Sequence, residues 1–113
     1  AALLYSLIIN NMKSNSDNVP QIMQPLGNGK YYLNFNIEEV TIDERQSYNY
    51  DSIYVDSIDR ITLIKALISE KYSIEDEVKL LYRGTPEQKQ EHEDYVAWCK
   101  KYVDSALAEF EEV

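Results

Sequence analysis

The chain is poor in the residues that most often carry chemistry. It holds one cysteine and one histidine. A lone Cys99 excludes an intramolecular disulfide; a reducing compartment is compatible with it but not required. No His/Cys cluster stands at zinc-ligand spacing, and no D-x-D-x-D-G loop offers a calcium site. Three glycines and three prolines are too few for a disordered composition. Basic residues are also scarce, 11 against 20 acidic ones, for a formal net charge of −9. Direct binding to nucleic acid or to an anionic membrane needs a basic surface, so both are disfavoured. An acidic surface ordinarily serves solubility. Long apolar runs are missing too. Ala1–Ile9, AALLYSLII, falls far short of the ~20 residues that span a bilayer. It has no basic n-region and no small-residue cleavage site, so it does not read as a complete signal peptide.

What the chain does have is tyrosine, ten residues in 113. Five of them lie in Lys30–Asp56, KYYLNFNIEEVTIDERQSYNYDSIYVD. Tyr31, Leu33, Phe35 and Ile37 alternate with Tyr32, Asn34, Asn36 and Glu38, the period of a half-buried strand. After Glu38 and Glu39 the parity flips to Val40 and Ile42. Either a β-bulge at Glu38 or Glu39 restores the register, or the two ends of the strand are covered on different faces. Asp43-Glu44-Arg45-Gln46 reads as the turn. Without Gly or Asn, a four- or five-residue loop is expected rather than a type I′ turn. Ser47–Val55 is the second strand, with Tyr48 and Tyr50 on one side and Ile53 and Val55 on the other.

The length fits one domain with enough core to fold without staples. Residues 1–18 read as an N-terminal extension and polar linker, and 19–113 as a single α+β domain. With Met at position 12 and not at 1, residues 1–11 are open to being an upstream extension, an expression leftover or a processed end. An apolar end this dense is expected to dock on the core or on a neighbour. Lys13–Asn18 is the polar linker. Val19–Gln24 reads as an edge strand, because Pro20 is tolerated only at an edge or a strand start. Pro25-Leu26-Gly27-Asn28-Gly29 is a turn.

From Ser57 the period becomes helical. Ser57 or Asp59 caps a first helix that buries Ile61, Ile64, Leu67 and Ile68, widened by Leu63. Ser73-Ile-Glu-Asp starts a second, short helix with Ile74, Val78, Leu81 and Tyr82 inward; Gly84 ends it. Thr85-Pro86-Glu87-Gln88 places a Thr cap, Pro at N1 and Gln at N3 of a third helix, running to about Glu111. Its apolar stripe is Tyr95, Trp98, Cys99, Tyr102, Ala106 and Phe110, flanked by Val96, Val103 and Leu107. Glu91, Glu93, Lys100, Lys101 and Asp104 lie opposite. Strands first and helices after is the segregated α+β order. The expectation is an antiparallel β-hairpin or three-stranded meander, then three helices packed on one face, the last long and amphipathic.

No motif for catalysis, cofactor or metal emerges. Gly27-Asn-Gly-Lys30 lacks the Ser or Thr and the earlier glycine of a phosphate loop. His92 sits between Glu91 and Glu93 on a polar helix face, a solvated position. Cys99 on the apolar stripe is a small hydrophobe. Glu38-Glu39 and Glu75-Asp76-Glu77 fit a bulge and a helix start. No nucleophile–base pair can be named, so the chain is not expected to be an enzyme. Tyr with Asn on one strand face is the chemistry of an adaptable binding surface, although tyrosine also simply suits half-exposed strands. The candidate interaction surface is therefore Tyr32, Asn34, Asn36, Tyr48, Tyr50 and Tyr54.

The segments VPQIMQ, KYYLNFNIEEV, YNYDSIYVD, YSIEDEVKLLY and EDYVAWCKKYVDSALAEF, spanning about residues 19 to 110, resemble small uncharacterised proteins of gut-bacterial prophages and phages encoded near structural genes. That resemblance implies a virion or tail-accessory role, or one in assembly, and brings no enzymatic assignment and no functional residues. Residues 1–11 fall outside it. Expected partners are proteins, with self-association through the ribbon or Ala1–Ile9, and without direct nucleic-acid binding or a membrane span. The expected location is cytoplasmic or virion-associated. From the −9 charge and Glu109, Glu111 and Glu112 comes a second expectation. It is an acidic inhibitor or regulator that docks on a basic, nucleic-acid-binding host protein.

Overall fold

The computed structural model describes residues 14–111; the Ala1–Ile9 expectation lies outside them. Among the described residues one antiparallel sheet has the order β1-β4-β3-β2, with β1 Ser14–Ser16, β2 Met23–Gly27, β3 Lys30–Ile42 and β4 Arg45–Val55. Helices α1 (Arg60–Ser69), α2 (Ile74–Arg83) and α3 (Pro86–Glu111) follow. This is the expected α+β architecture, a meander and then three helices, with one strand added.

The β3–β4 ladder sets Tyr31 opposite Val55 and Leu33 opposite Ile53, and Met23 of β2 pairs with Leu33 on the other side. Period-two alternation therefore puts Tyr31, Leu33, Phe35, Ile53, Val55 and Met23 on one face, the face that α1 and α3 cover. A bulge is present, earlier than expected. Between the pairs Phe35–Asp51 and Glu38–Asn49, β3 has Asn36 and Ile37 where β4 has Tyr50 alone. Asn36 takes φ 51°. Asn enters the left-handed region more readily than Glu, which is why the extra residue falls here and not at Glu38 or Glu39. The bulge returns Val40 and Ile42 to the face of Leu33 and Phe35.

Both hairpins close through two residues. Asn28 and Gly29 (φ 56° and 73°) join β2 to β3, and Asp43 and Glu44 (φ 50° and 64°) join β3 to β4. The second corrects the expected longer loop over Asp43–Gln46. Two left-handed residues match the strand twist, and the paired ladder offsets the ~1–2 kcal/mol that each side chain with a Cβ costs there. Edge strand β2 also starts later than the expected Val19–Gln24, and Pro25 lies within it. Part of the expected linker is a strand. Ser14–Ser16 pairs with Tyr48–Tyr50. Polar side chains hold it in place: Asn15 Nδ2 donates to Asn49 Oδ1 at 2.8 Å, and buried Ser47 Oγ donates to Asn15 Oδ1 at 2.8 Å.

All three helices start on capping side chains. Asp59 accepts from the Thr62 amide at 3.1 Å. Ser73 and Asp76 cap each other's backbone amides at 3.0 Å, and Thr85 and Gln88 do so at 3.1 and 3.0 Å. The core joins Met23, Leu33, Phe35 and Val55 of the sheet to Leu63, Ile64 and Leu67 of α1 and Cys99, Val103 and Ala106 of α3. Full burial of each large apolar side chain stabilises by roughly 1.5–3 kcal/mol. Tyr31 meets Phe110 edge to face at 5.7 Å, fastening the end of α3 to the sheet.

Helix α2 gives nothing to this core. Ile74, Val78, Leu81 and Tyr82, expected inward, are 83, 48, 69 and 79% exposed. Ile61, expected in the buried stripe of α1, is exposed as well. The half-buried side of α2 is instead Glu77 and Leu80. Short connections at both ends place that side on α3, and the apolar stripe faces away from it.

Candidate interaction face

The helices cover one face of the sheet, and β4 alternates without a bulge. Tyr48, Tyr50, Ser52 and Tyr54 therefore share the side that α1 and α3 leave open, together with Tyr32 and Asn34 of β3. Tyr32 and Tyr54 are direct cross-strand partners, 38 and 57% exposed, with rings edge to face at 6.2 Å. Tyr48 and Tyr50 are half-buried on the same strand. Rigid rings with hydroxyl tips present apolar area and hydrogen-bonding capacity together.

Two of the six expected surface residues do something else. Asn34 is fully buried. Its amide donates to the Gln21 carbonyl at 2.7 Å and to Gln24 Oε1 at 3.2 Å, and its Oδ1 accepts from Ser52 Oγ at 2.5 Å. Its backbone amide donates to the Ile22 carbonyl at 2.8 Å, and its carbonyl accepts from the Tyr102 hydroxyl at 2.6 Å. Asn34 thus ties the start of β2 to β3 at the point where the β2 ladder runs out, and α3 supplies the last partner. A buried amide with its bonds satisfied holds structure and leaves no donor for a ligand. Asn36 sits in the bulge, and its amide donates to Asp51 Oδ2 at 2.9 Å. Asp51 alternates with Ser52 and so belongs to the other side of the sheet. The face that remains is Tyr32, Tyr48, Tyr50 and Tyr54.

Sequence reasoning missed a second constellation, between α2 and α3. His92, expected to be solvated, is half-buried, with Nε2 2.9 Å from Glu77 Oε2 and its ring edge to face with Tyr72 at 4.8 Å. The Lys71 ammonium lies 5.0 Å over the Tyr95 ring and 3.5 Å from Glu91. Tyr95, Trp98 and Tyr102 stack along α3 at 5.7 and 5.2 Å. Burial, with Cys99 adjacent, pushes the Tyr95 hydroxyl well above its ordinary value, and that hydroxyl donates to the Leu67 carbonyl at 3.0 Å. The Tyr102 hydroxyl is pushed up to about 12 by burial, with Glu109 adding to it. Burial also raises the Cys99 thiol, which keeps it neutral and supports its reading as a small hydrophobe. An open cleft of about 460 Å³ runs between α2 and the start of α3, lined by Lys71, Tyr72, Lys79, Arg83, Asp76 and Glu91 among others. Its charges are of both signs, and Lys71, Lys79 and Glu91 already stand in ion pairs. No local spacing signals these contacts, because Glu77 and His92 are 15 residues apart across a turn.

Among the described residues, no group of three or more His, Cys, Asp and Glu is placed to hold a metal ion, and no helix is long and apolar enough to cross a membrane. Comparison with known proteins finds no matching family model, curated protein or solved structure.

Proposed function

We propose that this chain is a non-enzymatic structural or protein-interaction protein that docks protein partners on its tyrosine face and acts as a homo-oligomer. In this reading it serves a phage particle, as a virion or tail accessory or in assembly, and it is cytoplasmic until it joins the particle. The observation that carries the docking role is the Tyr32–Tyr54 pair, exposed on a sheet face that α1 and α3 leave free, with Tyr48 and Tyr50 beside it. Exposed aromatics on a rigid strand surface lose little entropy when a partner covers them. The phage setting rests on the resemblance of the strand and helix segments alone.

The test is composition of particles. In particles purified from a producing host, the chain is expected as a stoichiometric component. The Tyr32→Ala/Tyr54→Ala variant, which removes only exposed rings, is expected to fold and to be lost from them. Absence of the unmodified chain would remove the particle role, and equal retention of the variant would remove the tyrosine face. Salt separates this from the acidic-regulator reading. Tyrosine docking should hold between low and high salt, whereas an ionic contact made by a chain of net charge −9 should weaken steeply.

A further inference from the structure

We infer that α2 is a self-association surface, on which a second copy of this chain packs its own α2 antiparallel about a twofold axis. The inference deepens the homo-oligomer reading by naming its interface, and it is independent of the tyrosine face. The first observation is the stripe. Ile74, Val78, Leu81 and Tyr82 fall at i, i+4, i+7 and i+8, so they share one side of a single helix. That side is exposed along its whole length. The helix is also firmly placed. The Ser73–Asp76 capping box closes its start, and the Gly84 amide donates to the Leu80 carbonyl at 2.9 Å at its end. Glu77 on its other side binds His92 of α3. An ordered apolar stripe held away from its own core is the form of a helix that meets a partner helix.

The charges along the stripe select the occupant. Glu75 and Lys79 border one rim, 3.6 Å apart. In antiparallel packing each rim meets the same rim of the other copy. A rim that reads Glu and then Lys four residues later is its own complement when reversed. Glu75 then comes against Lys79 of the partner subunit, and Lys79 against Glu75 of the partner subunit. A parallel pair would set this rim against the opposite one, where Glu77 is held by His92, so only the twofold antiparallel arrangement uses the self-complementary rim. At larger scale α2 is acidic at its start (Glu75, Asp76, Glu77) and basic at its end (Arg83), which favours the same direction. The four apolar side chains expose on the order of 500 Å² per copy, so a pair covers about 1,000 Å², the lower bound for a specific interface. A weak, concentration-dependent dimer follows, because −9 on each copy opposes association and salt screens that repulsion beyond ~8 Å.

Analytical ultracentrifugation of the full chain, from about 1 μM to about 1 mM, reads the equilibrium. A reversible dimer is expected. Leu81→Glu, at an exposed position, should leave the circular dichroism spectrum unchanged and weaken the dimer at least ~10-fold. Glu75→Lys alone and Lys79→Glu alone should each weaken it, and mixing the two variants should restore a heterodimer at least as tight as the unmodified dimer. A monomer at every concentration would overturn both the homo-oligomer reading and this interface. A dimer insensitive to Leu81→Glu, with no gain on mixing, would overturn the α2 interface and leave the homo-oligomer reading standing.

Discussion

Helices α1 and α2 are both ten residues long and both begin on a capping side chain, yet one is core and the other is surface. In α1, Leu63, Ile64 and Leu67 are buried against β4 and α3. In α2 no residue is buried, although its apolar and polar sides are the more cleanly separated of the two. Amphipathicity tells that a helix has an apolar side; it does not tell what covers it. Connections decide that. Helix α1 leaves β4 through Asp56–Asp59 and lies back across the sheet, and α3 runs beside it. Helix α2 spans the short gap between them and, among the described residues, packs on α3.

The largest break in this contrast is a matched pair of truncations. Leu67→Ala in α1 leaves a cavity in the core and should cost about 2–5 kcal/mol in urea unfolding. Leu81→Ala in α2, measured below the concentration at which copies associate, should stay within about 0.5 kcal/mol. Comparable losses at both sites would mean that α2 is packed after all.

Gly84→Ala comes next, because it acts at the join between α2 and α3. A Cβ there would lie 2.5 Å from the Leu80 carbonyl oxygen. The backbone must shift, at about 1–3 kcal/mol as for other overpacked sites. The glycine is needed for this close approach, since its φ of −67° is open to any residue. A smaller loss, about 1 kcal/mol, is expected for Ser73→Ala, which removes one half of the α2 capping box. It should appear as faster amide exchange within α2 and leave the α1 amides as they were.

The smallest effects are those of pH, and they act on opposite sides of the comparison. Hydrogen bonds from Ser73 hold the Asp76 carboxyl below its ordinary 3.8. A depressed carboxylate stabilises above that value, and its contribution is lost as pH falls through the folded pKa. Acid should therefore loosen the start of α2 first, and Asp76→Asn should abolish that pH response. Tyr102, on the covered side, is shifted the other way, from 10.0 to about 12. Its contribution is complete below pH 10 and lost as pH rises towards 12. Tyr102→Phe should remove this alkaline step in a fluorescence-monitored titration.

Much of the fold was legible where local chemistry and tertiary packing agree. Alternating Leu33 and Phe35 gave the strand and its buried face, and the flip at Val40 signalled a bulge. Thr85-Pro86 and Ser73-Ile74 marked helix starts because caps are local. Other elements were hidden for physical reasons. Ser14–Ser16 pairs through amide and hydroxyl side chains, which leave no apolar alternation to see. Glu44 takes a left-handed conformation that its own preference opposes, because the two strands impose the turn. Asn34 looks like a surface amide by parity, and only its contacts with Gln21, Gln24 and Ser52 show that it is buried. Of the candidate face, the tyrosine positions were readable from period two. The α2 stripe reads as apolar and hence inward, but nothing in ten residues says whether the same chain supplies the cover.

The most direct test of the contrast between α1 and α2 is amide hydrogen exchange at the lowest workable protein concentration. The α1 amides are expected to exchange only with global unfolding, and the α2 amides to exchange much faster, through local opening. Protection in α2 should then rise with protein concentration while that in α1 stays constant. Amides of α2 protected as deeply as those of α1 at every concentration, in the Leu81→Glu variant as well, would contradict it.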